Sequence, residues 1–269
     1  MEIKTIVTIL FLSMLGLSLG ANASTISSDE PWVDATEGIT GGSTAITWFP
    51  ANQNSSSSST LDHAQTIIEV YTATWCETCI PAEEALNASI TDHAVKVVKY
   101  HRHLFETEDP FGNNNTEGRW LSRYGPSAVQ ADFNARTPPT VIFGGERMHI
   151  GSHPTAGVSL EEEYSISLNS IMRPPISNSS EFTFTWEDGT FEWSWNWEED
   201  ITACRSNCDT VSTELYMMIV EDTAFFPEGS NGEEYYHRIL RDVIPLGNNS
   251  IEYILPQAWD DDDVSIMIV

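Results

Sequence analysis

Positive charge is scarce in this chain: 12 Lys and Arg stand against 40 Asp and Glu, a formal net charge of −28. Such a surface repels phosphates. That excludes nucleic acid and an anionic membrane face as partners and reads as solvated acidic exterior. Long apolar runs are also scarce, with one at the N-terminus and no second run of membrane-spanning length. The N-terminal run, Thr5 to Gly20, follows Lys4 and precedes Ala21-Asn22-Ala23, an A-x-A cleavage pattern. Thr5, Thr8, Ser13 and Ser18 interrupt it, as suits a secretory signal peptide over residues 1–23 better than an anchor. Ser24 rather than a cysteine stands at the cleavage site, so no lipid attachment is expected there. The mature chain is therefore expected to be secreted or otherwise extracytoplasmic, the cell surface included, where disulfides persist. It carries no expected transmembrane segment.

What is present falls into three stretches. Residues 24–60 are rich in Ser, Gly and Asn, end in a serine run and lack periodicity, which predicts a flexible lead-in. Residues 61–174 alternate strand and helix signals. Thr66 to Ala73 is an apolar, β-prone run, Pro81 suits the first turn of a helix, and Ala94 to His101 is a second strand. A polar passage with a short helix around Trp120 follows. Then come a strand from Thr140 to Phe143, a returning strand from Arg147 to Ile150, and a helix capped by Ser159. Pro174-Pro175 marks a boundary, and residues 180–269 read as all β. There, a two-residue turn at Asp188-Gly189 sets Trp186 opposite Phe191, Phe184 opposite Trp193 and Phe182 opposite Trp195, with all six aromatics on one face. A one-residue slip would scatter them. Such a stripe is a core face before it is a ligand platform. The final apolar run ends without a polar tail, so either Val269 closes the last strand or the sequence is a fragment.

The four cysteines form two close pairs, Cys76 with Cys79 and Cys204 with Cys208. A closed zinc site needs about four ligands at characteristic spacings. The second pair has a different spacing, and His101, His103 and His149 are scattered, so no metal is expected. A structural staple gains little, because closing so short a loop is worth only about 2 kcal/mol. The redox reading fits the local pattern. A Cys between the end of a strand and the start of a helix meets unpaired backbone N–H groups and the positive end of the helix dipole, and both favour the attacking thiolate. Cys76 is then the exposed nucleophile and Cys79 the resolving thiol. Glu77, Glu83 and Glu84 oppose thiolate formation, predicting a thiol less acidic than that of a strong oxidant. The exchange needs no cofactor.

Trp75-Cys76-Glu77-Thr78-Cys79 after an apolar strand resembles the active site of the thioredoxin superfamily, as does Pro139 before a short apolar strand. The resemblance covers roughly Leu61 to Arg173. It implies an α/β thioredoxin-like domain in which Pro139 is a cis-proline packed against the cysteine pair, with Trp75 and Pro138 beside the substrate groove. The sequence departs from the family in three places. Val70 stands where thioredoxins bury an acid, leaving its neighbour Glu69 as a possible proton acceptor. Pro138 precedes Pro139, and Phe105 to Gly125 is an insertion. The C-terminal half resembles, through Ile219 to Asp222 and Glu233 to Gly247, a family of secreted, outer-membrane-related proteins that join a thioredoxin-like domain to a β-sandwich. The implied fold class is thus an α/β thioredoxin-like domain followed by an all-β immunoglobulin-like sandwich domain.

Smaller features complete the reading. Cys204 and Cys208 are expected to form a local structural disulfide. His101 and His103 are expected at the surface. His237, Arg238 and Arg241 form the densest basic spot and are expected in a loop paired to acids. Asn54, Asn87, Asn114, Asn178 and Asn248 begin glycosylation sequons. Asp260 to Asp263 reads as a charged strand edge rather than a calcium loop. The expected function is an exported thiol–disulfide oxidoreductase acting on cysteine-containing proteins or a redox partner. The alternative is a cell-surface binding or adhesion module built on the same scaffold.

Overall fold

The structure is a computed structural model that describes residues 32–36, 42–103, 109–171, 175–200 and 211–269. The expected signal peptide, Pro174 and the Cys204–Cys208 pair lie outside the described residues.

Strands β1 (Val33–Asp34), β2 (Thr44–Ala45), β3 (Thr47–Pro50) and β4 (Ser55–Thr60) come first. Then follow β5 (Gln65–Thr72), α1 (Cys79–Ser89), β6 (Val95–His101), α2 (Asn114–Arg123) and α3 (Gly125–Gln130). Next are β7 (Thr140–Phe143), β8 (Arg147–Ile150) and α4 (Leu160–Ser170). The remainder is strand: β9 (Glu181–Glu187), β10 (Thr190–Asn196), β11 (Tyr216–Phe225), β12 (Tyr235–Pro245), β13 (Ser250–Glu252) and β14 (Val264–Ile268).

A single ten-stranded mixed sheet runs β1-β8-β7-β5-β6-β12-β11-β14-β3, with β2 paired to β5 off this path. This overturns the expected fold class of a thioredoxin-like domain followed by a separate sandwich domain. β6 pairs in parallel with β12 through Lys99 and Ile239, so strands from both halves of the chain share one ladder. Pro31–Val269 accordingly form one unit. The physical reason is edge satisfaction. β6 would present unpaired N–H and C=O groups at a sheet edge, and β12 covers them.

The sheet is packed on both faces around β5. Ile68 and Val70 point to α1 and α4, with Val97, Val141, Phe143, Ala82, Leu86, Tyr164 and Leu168 around them. Ile67 and Tyr71 point the other way, towards Val98, Tyr100, Trp120 and Tyr124 under α2. A strand buried on both faces needs a nearly continuous apolar run, and "TIIEVYT" supplies one with a single charge in it.

The predicted hairpin is β9–β10, and its observed register pairs Trp186 with Phe191, Phe184 with Trp193 and Phe182 with Trp195. Asp188 and Gly189 have φ of 49° and 82°, the left-handed pair that a two-residue turn requires. The aromatic face packs on Phe49 of β3, Met217 and Ile219 of β11, and Ile266 of β14, which forms a second core. The four-stranded sheet β13-β10-β9-β4 therefore covers the far end of the larger sheet. The predicted flexible lead-in is corrected here. Ser55–Thr60 is a strand paired to β9, Thr47–Pro50 pairs with β14, and Thr44–Ala45 pairs with β5. Serine has weak β preference, but the open edge of β9 gives its backbone a ladder, and tertiary context wins.

Candidate functional site

β5 ends at Thr72 and α1 starts at Cys79, so the motif occupies the turn between a central strand and a helix. Cys76 and Cys79 are bonded, with S–S 2.06 Å and Cα–Cα 5.3 Å. Cys76 N donates to Ala73 O and Cys79 N to Cys76 O, each at 3.1 Å. Thr78, the residue before the helix, makes no side-chain cap. Its hydroxyl lies 3.5 Å from Cys76 Sγ. Glu77 and Thr78 are exposed, but Cys76 is only 4% exposed and Cys79 is fully buried. The expected exposed nucleophile is thus covered in the bonded state. Trp75 packs against the pair, and Arg102 lies over its ring, 5.3 Å from the centroid.

β7 pairs antiparallel with β5, Tyr71 facing Thr140. Continuing that register brings Pro139 level with Thr72, immediately before the cysteine turn. The Pro138–Pro139 peptide bond is cis, Pro139 is buried, and Pro138 is half-buried. Pro139 O accepts from Gly151 N at 2.8 Å.

Glu69 is elsewhere. It lies on the α2 face of β5, opposite the face that carries α1. Its carboxylate receives Tyr100 Oη at 2.6 Å, and it is bonded to Tyr124 and ion-paired with Arg119. Burial alone would raise its pKa, yet Arg119, Arg123 and the two phenols hold it below the usual carboxylate range. A carboxylate so placed is an anchor for α2, not a proton acceptor for Cys79. Strand alternation puts neighbours on opposite faces, and no bulge reverses it here.

The groups that do surround the motif come from four elements. Glu83, one turn beyond Cys79 on α1, accepts Thr72 Oγ1 at 2.8 Å and pairs with Lys99 of β6. Burial opposes its charge, but Lys99 and Thr72 outweigh burial and keep its pKa low. His101, at the end of β6, is 1% exposed rather than at the surface as the sequence suggested. Its Nδ1 is 2.9 Å from Asp109 Oδ2. Asp109 also accepts Thr74 N at 2.8 Å and Phe111 N at 3.1 Å. Burial would raise Asp109, but His101 and the two amides hold it below the usual range. Asp109, inside the expected insertion Phe105 to Gly125, therefore pins the cysteine turn.

The other side of Thr74 is held by the β11–β12 hairpin. Thr74 O accepts Asn231 N at 3.1 Å and Tyr236 Oη at 3.3 Å. Gly229 is required at this approach, since a Cβ there would stand 2.1 Å from Tyr236 Oη and 3.0 Å from Thr74 O. His237, Arg238 and Arg241, expected in a loop, belong to β12. Arg241 lies 3.6 Å from Glu221, and His237 pairs with Thr223. Among the described residues no group of three His, Cys, Asp or Glu is arranged to hold a metal. No helix among them is long and apolar enough to cross a membrane. Of the predicted site residues, the structure brings together Cys76, Cys79 and Trp75, sets Pro139 level with the end of β5, and turns Glu69 to the opposite face. Sequence reasoning missed His101, Asp109 and Tyr236. The one available signal was the pairing of a strand-end histidine with an acid eight residues on.

No protein-family profile matches the chain, and no curated protein does. Among solved structures, it is similar to a structural-genomics protein of Agrobacterium tumefaciens, at 13% identity and TM-score 0.43, covering 75% of this chain and 77% of that one. It is also similar to HBP35 of Porphyromonas gingivalis, at 12% identity and TM-score 0.35, covering 76% of this chain and 62% of that one. Scores this low do not establish a shared fold.

Proposed function

We propose that this protein is an exported thiol–disulfide oxidoreductase working by dithiol/disulfide exchange at Cys76 and Cys79. The observation that carries the reading is the bonded pair set across a strand-to-helix turn, with only two exposed residues between the sulfurs. The resemblance of the motif to thioredoxin active sites supports it, and so does the position of Pro139 beside the turn. In the reducing direction, the Cys76 thiolate attacks a substrate disulfide, giving a mixed disulfide and one substrate thiol. Cys79 then attacks Cys76 Sγ, the enzyme disulfide forms, and the second substrate thiol leaves. Two electrons pass from the dithiol to the substrate, and the sequence runs backwards for oxidation. The substrates are exported proteins with cysteines, or a dedicated redox partner.

Equilibration with glutathione buffers tests the proposal. A two-electron transition between roughly −270 and −120 mV is expected. Cys79→Ser should accumulate reductant-sensitive mixed disulfides with exported proteins, whereas Cys76→Ser should not. A pair that stays oxidised well below that range, together with no captured partner, would leave the cysteines as a structural bond. The surface-module reading, favoured by the near-complete burial of Cys76, would then replace this one.

A further inference from the structure

The exchange reaction leaves one proton unaccounted for. Cys79 is fully buried, and a buried thiol resists ionisation, so its attack on the mixed disulfide needs a base. Glu69, the base the sequence offered, faces away. Glu83 is on the right face, but both its oxygens are engaged, by Thr72 and Lys99.

His101 stands differently. It follows Lys99 by two residues on the α1 face of β6 and is the register partner of Thr72. It lies within electrostatic reach of Glu83, the residue one turn beyond Cys79. Asp109 joins it to the backbone of Thr74, two residues before Cys76. The ring is held edge-on between Phe111 and Tyr236, with centroids 5.0 and 5.9 Å away. An ionised carboxylate can only accept, so Nδ1 carries the hydrogen that faces Asp109, and in the neutral ring Nε2 then presents a lone pair. That nitrogen is buried and has no hydrogen-bond partner among the described residues. A buried acceptor without a donor is costly and calls for an explanation.

We propose that the His101–Asp109 dyad is the proton acceptor for Cys79 in the resolving step. This rests on the oxidoreductase reading. As Cys79 Sγ bonds to Cys76 Sγ, the bond from Cys76 Sγ to the substrate sulfur breaks. The Cys79 proton passes to Nε2, and the imidazolium then returns it to the departing thiolate. Asp109 fixes the tautomer and steadies the imidazolium while also holding the turn at Thr74. The charged and titratable groups around the ring are Asp109, Glu83 from α1, Lys99 from its own strand, and Tyr236 and Arg241 from β12. Arg241 acts through its proximity to Asp109.

The test uses the reduced full chain carrying Cys204→Ser and Cys208→Ser, which leaves Cys76 and Cys79 as its thiols. This chain is the reference protein throughout, and with dithiobis(nitrobenzoate) it yields two bursts of thionitrobenzoate. The first is Cys76 attacking the reagent, and the second is Cys79 resolving the adduct. His101→Gln should leave the first burst unchanged and slow the second about a hundredfold at pH 7, the scale of a lost general base, with the gap closing as pH rises and the thiol ionises unaided. Asp109→Asn should slow the second burst in the same direction. A second burst within a factor of about three of the reference protein across pH 6–9 overturns the proposal. Should the variants not fold, the reference protein decides. Its second burst must follow the imidazole titration of His101 seen by NMR, and a profile with only a thiol inflection overturns the idea. The reagent needs no natural substrate. Failure of the oxidoreductase reading would therefore appear in the glutathione titration alone, and failure of the dyad in the second burst alone.

Discussion

Removing Arg119 should unmake the buried anchor under the central strand and reverse the pH response of the fold. Glu69 is completely buried and the Arg119 side chain is 6% exposed, so neither charge has much access to water. Deleting one partner of such a pair leaves an uncompensated buried charge and costs about 3–5 kcal/mol. Against a total stability of roughly 5–15 kcal/mol, that is a large fraction. The sign follows from the carboxyl. In the native protein its folded pKa is depressed, so its stabilisation is present above the unfolded value of about 4.3 and is lost as pH falls through the folded value. In Arg119→Met, burial dominates and the folded pKa rises. Stability is then lost as pH rises above the unfolded value, so the variant should be weaker at pH 8 than at pH 5. Glu69→Gln with Arg119→Met removes both charges and should recover most of the loss, since Tyr100 and Tyr124 can still donate to the amide oxygen. Urea unfolding followed by tryptophan fluorescence at the two pH values measures all three proteins. A cost below about 1 kcal/mol for Arg119→Met, the range of surface pairs, would refute the reasoning. So would a double variant as weak as the sum of the single ones. Glutathione equilibration of folded Glu69→Gln should give the native potential, because Glu69 does not face the cysteines.

Two further outcomes are expected. Phe191→Ala, at a fully buried position in the aromatic core, should cost about 3–5 kcal/mol in the same unfolding assay while leaving the cysteine couple unchanged; a loss under about 1 kcal/mol would mean that the second sheet is not packed as described. His149 is pushed down to about 4 by burial, although Glu163 Oε2 is 3.9 Å away and acts in the other direction. Because its folded pKa lies below the ordinary value near 6.5, stability should fall as pH drops from about 6.5 towards 4, by up to about 3 kcal/mol, and His149→Gln should flatten that part of the profile.

The elements nearest the cysteine pair were legible because they depend on local sequence. A β-prone run, a CxxC and a proline in the first turn predict strand, turn and helix at Thr66 to Ser89 from period and propensity alone. The β9–β10 register was legible for the same reason, since a two-residue turn and a period of two leave one alignment that gathers the aromatics. Pairing across the two halves of the chain was not legible. Nothing in "VKVVKYH" says which strand lies on its open side, and β12, more than 130 residues later, takes that edge through long-range backbone bonds that carry no sequence signature. The serine run shows the same limit, because its strand state belongs to the edge of β9 rather than to serine.

The candidate site divides along the same line. Sequence alone determined the two sulfurs, their order and their place between strand and helix, because the CxxC and its flanking strand and helix signals are neighbours in the chain. Only tertiary structure decided which acid and which base surround them. Strand alternation turned Glu69 to the wrong face, sheet closure buried His101, and the β11–β12 hairpin brought Asn231 and Tyr236 onto Thr74 from more than 150 residues away. Side chains converge on a reacting atom through packing, and packing is settled by the whole chain at once.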